Sequence, residues 1–296
     1  MYPLDYIQPV FRPPSEARSL ILQVSNGCSW NNCTFCDMYT APQKKFTVKP
    51  IAEIEQELLA LANDGYPVDR VFLADGDAMT LSVRRLTEIL TTIKQHYPNV
   101  RRVSAYCLPR NLKNKSVAEL TTLRELGLDY MYVGCETGDD ELLGLIEKGE
   151  DYQSSLSALK KIKQAGMTSS VMILNGIGGP NYSAQHAKNS ARLMNEAQPN
   201  FLSMLVLELP NGDQRFAKNF KGQWRKLNQS ELFEEMRSFI SQLELDKTIF
   251  RSDHASNYLV LKGTLGKDKA KLLEILDTAI NKPGLIPLRE EWQRGL

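Results

Sequence analysis

The run Leu20-Ile21-Leu22-Gln23-Val24 leads, through Ser25, into Asn26-Gly27-Cys28-Ser29-Trp30-Asn31-Asn32-Cys33-Thr34-Phe35-Cys36-Asp37-Met38-Tyr39. An apolar, β-rich stretch that breaks at once into a loop carrying three cysteines places chemistry where a strand ends. Three thiolates on one short loop can hold three irons of a cubane [4Fe–4S] cluster. The usual ligand count there is four, so one iron is left for a ligand the protein does not supply. A structural zinc site instead requires four closed ligands, and no second Cys-x-x-Cys or His-x-x-x-His follows.

Outward from this stretch, short β-rich runs alternate with helical periodicity. The strand candidates are Leu20–Val24, Arg70–Ala74, Arg102–Cys107, Tyr130–Gly134, Ser170–Asn175 and Leu202–Glu208. Between them, Ile51, Ile54, Leu58 and Leu61, then Val83, Leu86, Leu90 and Ile93, then Val117, Leu120 and Leu123 recur at helical spacing. Ser116 with Glu119 predicts a capping box at the head of the third helix. Strict alternation predicts a parallel sheet with right-handed crossovers. The expected fold class is α/β: a partial (β/α)6 TIM-like barrel, two units short of the closed form, with a C-terminal helical extension. The expected domains are an arm over 1–17, the partial barrel over 18–212, and an extension over 213–296 that closes the barrel. In the extension, residues 211–228 read as a surface loop around Trp224, followed by helices from about Ser230 to Leu245 and from about Asp268 to Ile280.

Polar clusters fall at each strand end: the cysteine loop, Asp75-Gly76-Asp77, Ser104 to Arg110, Gly134-Cys135-Glu136-Thr137-Gly138, Asn175-Gly176-Ile177-Gly178-Gly179, and Glu208 to Gly212. In a barrel of this kind such ends share one rim, where active residues sit. Over roughly residues 12–212 the chain resembles the radical S-adenosylmethionine (SAM) superfamily. The resemblance implies that Cys28, Cys33 and Cys36 hold a [4Fe–4S] cluster, that SAM chelates the fourth iron, and that Phe35 packs near the adenine. Asp75-Gly76-Asp77 stands in the place of the family's Gly-Gly-Glu, which implies a grip on the SAM ammonium. Glu136, in a segment like Gly-x-Glu-Ser-Gly, implies a partner for the ribose hydroxyls, with Ser104 as a second candidate. Lys148, twelve residues later, matches a basic position that pairs with the SAM carboxylate in oxygen-independent coproporphyrinogen oxidases. Asn175 and Gly176 open what looks like the glycine-rich turn beside the adenine, where a missing Cβ lets backbone approach a flat ring. One spacing departs from the common pattern: four residues, Ser29 to Asn32, separate the first two cysteines where three are usual.

Composition bounds the rest. With 296 residues and 42% hydrophobic content the chain can bury a large core, and 36 Lys and Arg against 35 Asp and Glu leave a net charge of +1. That balance gives no general attraction to nucleic acid or an anionic membrane. No run of about 18 apolar residues and no basic-then-apolar leader occurs, so a cytoplasmic location is expected. Five cysteines, three of them clustered, argue against a disulfide framework, and Cys107 and Cys135 read as small core residues. His96 reads as a surface residue and His186 as a helix-face residue. His254, in the polar run Arg251 to Tyr258, is either held by local hydrogen bonds or turned with Asn257 toward substrate as a catalytic candidate. The leading function is reductive cleavage of SAM and hydrogen abstraction from a small organic substrate, with a flavodoxin- or ferredoxin-type electron donor. A coproporphyrinogen-like oxidative decarboxylation is the alternative among enzymes, and a non-catalytic iron–sulfur or zinc-binding module the alternative outside them.

Overall fold

A computed structural model describes residues 4–294. Two compact units divide them: one takes the residues up to Asn31, Met38–Val133 and Lys160–Ser169, the other Asn32–Asp37, Gly134–Leu159 and the residues from Ser170 on.

The first unit begins with β1 (Leu20–Gln23), a short antiparallel pair of β2 (Ser25–Asn26) and β3 (Thr47–Val48), and α1 (Ile51–Asn63). Next come β4 (Arg70–Ala74), α2 (Val83–His96), β5 (Arg102–Cys107), α3 (Val117–Glu125) and β6 (Leu128–Glu136), whose last residues pass into the second unit. β1, β4, β5 and β6 pair in parallel in that order, with Leu20 opposite Val71, Arg70 opposite Arg102 and Ser104 opposite Tyr130. Val71, Phe72, Leu73 and Ala74 are all fully buried, as expected of a parallel strand covered on both faces. Helices start where the side chains permit: Ser82 accepts the Arg85 N–H at the head of α2, and Ser116 and Glu119 form the predicted capping box on α3.

The second unit holds α4 (Asp140–Leu145), the start of α5 (Tyr152–Gln164), most of β7 (Thr168–Asn175), α6 (Gly179–Ala197) and β8 (Phe201–Val206). It continues with α7 (Gln214–Ala217), α8 (Gln229–Ser241), β9 (Ile249–Arg251), β10 (Lys262–Thr264) and α9 (Leu265–Asn281). β7 pairs in parallel with β8, and β8 with β9; β10 returns antiparallel. The arrangement is a mostly parallel α/β sheet with helices. Among the described residues β1 and β10 each have a strand neighbour on one side only.

Two sequence expectations for the extension change. It is not purely helical: Ile249 to Arg251 add a parallel strand to β8, with Phe201 opposite Ile249. Residues 211–228 are not a surface loop, because Phe216 and Phe220 are buried with Leu142, Ile146, Leu174, Ile177 and Leu207, and Trp224 packs against that cluster. Burying side chains of this size contributes roughly 1.5–3 kcal/mol each, enough to fold a segment that has no periodicity of its own.

Candidate active site

In the first unit the turn after β4 grips the start of the cysteine segment. Asp75 is fully buried. Its Oδ2 accepts from the Gly27 N–H at 3.2 Å and the Gln23 amide at 3.2 Å, and forms an ion pair with Lys44, also fully buried. Gly76 lies against the Tyr39 ring so closely that a Cβ would stand 2.3 Å from it. Asp77, fully buried, accepts from the Ser29 hydroxyl and from the Asn111 side chain, and burial raises its pKa above the usual carboxylate range. The two carboxylates thus hold the residues on either side of Cys28. Residues of the four-residue spacer between Cys28 and Cys33 are held as well: Asn31, in the left-handed region at φ 43, donates to the Tyr39 carbonyl at 2.9 Å, and the Arg110 guanidinium lies 3.7 Å from the centre of the Trp30 ring. Ser104 is buried in β5 and donates to the Val71 carbonyl at 3.3 Å, so its hydroxyl is engaged within the sheet.

In the second unit the rest of the segment is held by a residue that no sequence signal marks. The Arg215 guanidinium, on α7, donates to the Cys33 carbonyl at 2.7 Å, the Cys36 carbonyl at 3.0 Å and Asp37 Oδ1 at 2.9 Å. Phe35 packs on the buried cluster around Leu142 and Ile146, with Lys148 Nζ 5.7 Å from its ring centre.

Glu136 closes β6 at φ 64, and its Oε1 accepts from Lys148 Nζ at 2.8 Å, both side chains being 4% exposed. Burial works to lower the Lys148 pKa, but the charges of Glu136 and Cys33 outweigh it and hold the pKa above the ordinary value. Gly134 leaves room for this pair: a Cβ there would stand 2.2 Å from Glu136 Oε1 and the carboxylate would have to shift. The structure therefore joins two residues expected to act separately. Cys135 and Cys107 are core residues, as expected, and burial pushes the Cys135 thiol up to about 12.

Asn175 ends β7, fully buried, and donates to the Leu232 carbonyl at 3.1 Å; Gly176 follows at φ 86. Both line a cavity of ≈ 270 Å³ with Val206, Leu207, Glu208 and Trp224 among its walls. Lys226 and Arg294 both pair with Glu208. His254 and Asn257 do not line it. His254 Nδ1 accepts from the Ser256 N–H at 3.2 Å within its own turn, and Asn257, 1% exposed, donates to the Met204 carbonyl at 3.1 Å. Nδ1 of His254 is thus engaged within its own turn. His186, read from the sequence as a helix-face residue, lies on α6 and is fully buried, with Nδ1 2.8 Å from Thr137 Oγ1 and burial lowering its pKa to about 4. Glu235, not singled out in the sequence, is the residue bonded to Gly176. Its signal was a carboxylate three residues after Leu232 on the apolar face of α8.

Among the described residues no three His, Cys, Asp or Glu side chains stand at metal-ligating spacing, and none of the five cysteines is in a disulfide. No helix among them is long and apolar enough to cross a membrane.

Comparison with known proteins fits this geometry. An uncharacterised methyltransferase of Pyrococcus horikoshii is 27% identical over 147 residues, covering 50% of this chain and 30% of the relative. The hopanoid C-3 methylase of Methylococcus capsulatus is 26% identical over 159 residues, covering 52% of this chain and 28% of the relative. The chain therefore matches under a third of the length of either. The structure of Escherichia coli coproporphyrinogen III oxidase, a radical SAM enzyme, shares the fold with a TM-score of 0.58 at 16% identity, covering 76% of this chain and 52% of that one. The family model described as the radical SAM superfamily matches residues 22–194, more than half of the chain. The chain belongs to the radical SAM superfamily, and is an enzyme of that class working with a [4Fe–4S] cluster and SAM.

Proposed function

We propose that Cys28, Cys33 and Cys36 hold the [4Fe–4S] cluster and that the chain uses it to cleave SAM reductively and abstract hydrogen from a small organic substrate. The observation that carries the reading is the donor set: three cysteines in one short segment whose flanking residues are held by Asp75, Asp77 and Arg215. Their convergence comes with the metal, since such sites are rarely complete without it. Unpartnered buried atoms support the fit: Asp77 Oδ1, Glu136 Oε2 and Asn175 Oδ1 have no hydrogen-bond partner. Buried polar atoms of this kind are costly unless something satisfies them.

Held by Cys28, Cys33 and Cys36, a [4Fe–4S] cluster would supply the one-electron reduction that cleaves the SAM sulfonium, with a flavodoxin- or ferredoxin-type protein as its electron source. The chain's own residues bind and orient. Asp77, with the carbonyls of the Asp75–Asp77 turn, receives the ammonium; Asp75 itself is neutralised by Lys44 and stays with the loop. Lys148 holds one oxygen of Glu136 and leaves the other for the ribose hydroxyls. Phe35, Asn175 and Gly176 form the adenine wall.

Anaerobic reconstitution of wild type should give one cluster by iron and sulfide analysis, and Cys28→Ala, Cys33→Ala and Cys36→Ala should each abolish it while Cys107→Ala and Cys135→Ala retain it. Dithionite-reduced protein should then form 5′-deoxyadenosine from SAM. Full iron in the Cys33→Ala protein, or a cluster-replete protein inert toward SAM, rejects the proposal. A second reading, methyl transfer, rests on the names of the two relatives and is separated by product: it yields S-adenosylhomocysteine and a methylated acceptor. Coproporphyrinogen-type oxidation rests on likeness of fold alone.

A further inference from the structure

The Gly176 turn is held from outside the strand that makes it. Its N–H donates to Glu235 Oε1 at 2.6 Å, and Glu235 belongs to α8. That carboxyl is buried at 2% exposure, takes a second hydrogen bond from the Ser183 side chain, and lies 3.8 Å from Nε2 of the fully buried His186. His186, on α6, meets Thr137 at its other nitrogen, and Thr137 is the residue after Glu136. One line of contacts therefore runs from α8 through the Gly176 turn and α6 to the neighbour of Glu136. A carboxyl without this task is an expensive occupant of an apolar helix face, where Leu or Met would pack at no desolvation cost. Leu232, one turn earlier on α8, lies where a Cβ on Gly176 would stand 2.9 Å from it, so the turn is pressed on α8 and has little room to shift.

We infer that Glu235 is a positioning residue that fixes the Gly176 amide, and through it the wall of the neighbouring cavity, against α6 and α8. The inference deepens the reading of that cavity as part of the SAM site and rests on it for its effect on binding. Glu235 touches no ligand; it acts through Gly176.

The test compares wild type with E235Q, E235D and E235L. Amide hydrogen exchange at Gly176 in the full chain reads the contact itself, and equilibrium dialysis of SAM on cluster-reconstituted protein reads the cavity. Gln keeps an acceptor oxygen in place, so both measurements should stay within about twofold of wild type. In E235L, Gly176 should exchange and release SAM about tenfold more readily, the scale of one lost hydrogen bond, with iron content unchanged. E235D, shorter by one methylene and tolerant of the fold, should move both in the same direction. Wild-type exchange in E235L and E235D overturns the inference, as does E235Q behaving like E235L. Failure of wild type itself to bind SAM would reject the proposed site, while the exchange measurement still decides what Glu235 does.

Discussion

Two fully buried charges, Lys44 and Asp75, meet at the root of the cysteine segment. Lys44 Nζ also donates to the Ile7 carbonyl at 2.9 Å, and Asp75 holds Gly27, so the pair ties the residues before β1 to the residue preceding Cys28. A buried pair adds little net stability over well-packed apolar residues, yet removing one partner strands the other. Asp75→Ala should therefore cost about 3–5 kcal/mol in denaturant unfolding, while the double variant Lys44→Met with Asp75→Leu should recover most of it. Losses that simply add in the double variant would show that the charges act independently. Neither the pairing nor the bracketing of Cys28 by Asp75 and Asp77 is visible in Asp75-Gly76-Asp77 as a motif, because the partners lie more than 30 residues away.

Among the elements, α7 has a role out of proportion to its length. Phe216 buries it in the core, and Arg215 beside it reaches the Cys33 and Cys36 carbonyls. Arg215→Ala removes a cation that favours the added negative charge of a reduced cluster. The midpoint potential of the reconstituted protein should move negative by a few tens of millivolts, within the ~59 mV that a tenfold one-electron change represents. Iron retained after desalting should also fall; an unchanged potential with full iron would show that Arg215 only fastens α7. The six parallel strands were legible because each is an apolar run bounded by turn residues. β9 was not: Ile249 to Arg251 become a strand only by lying in register with Phe201 to Ser203. α7 escaped for the same reason, since no period fits in a single turn.

At the scale of the whole molecule, the buried Glu235 and His186 of the second unit give its stability a pH dependence of known sign. Burial, opposed by hydrogen bonds from Ser183 and Gly176, lifts Glu235 from 4.5 to about 7. Between those values the folded state holds the proton more firmly than the unfolded chain, so the Glu235 contribution to stability falls as pH rises through this window, by a total on the order of 3 kcal/mol. Burial lowers His186 from 6.5 to about 4, and its contribution is lost instead as pH falls through that range. Comparing wild type with Glu235→Gln isolates the first group. The variant should gain on wild type between about pH 5 and about pH 8 in urea unfolding, and a constant difference would show that the carboxyl does not titrate in that interval. The sequence by itself determined the β-α order, the strand-end placement of the polar clusters and the run of three closely spaced cysteines, because periodicity and short-range spacing are local properties. Only the tertiary structure decided that Asp75 belongs to Lys44, that Glu136 and Lys148 form a pair, that Arg215 bonds the Cys33 and Cys36 carbonyls, and that Glu235 bonds the Gly176 amide. Each of those depends on which side chains a long-range fold buries together, and burial determines whether a charge must find a partner.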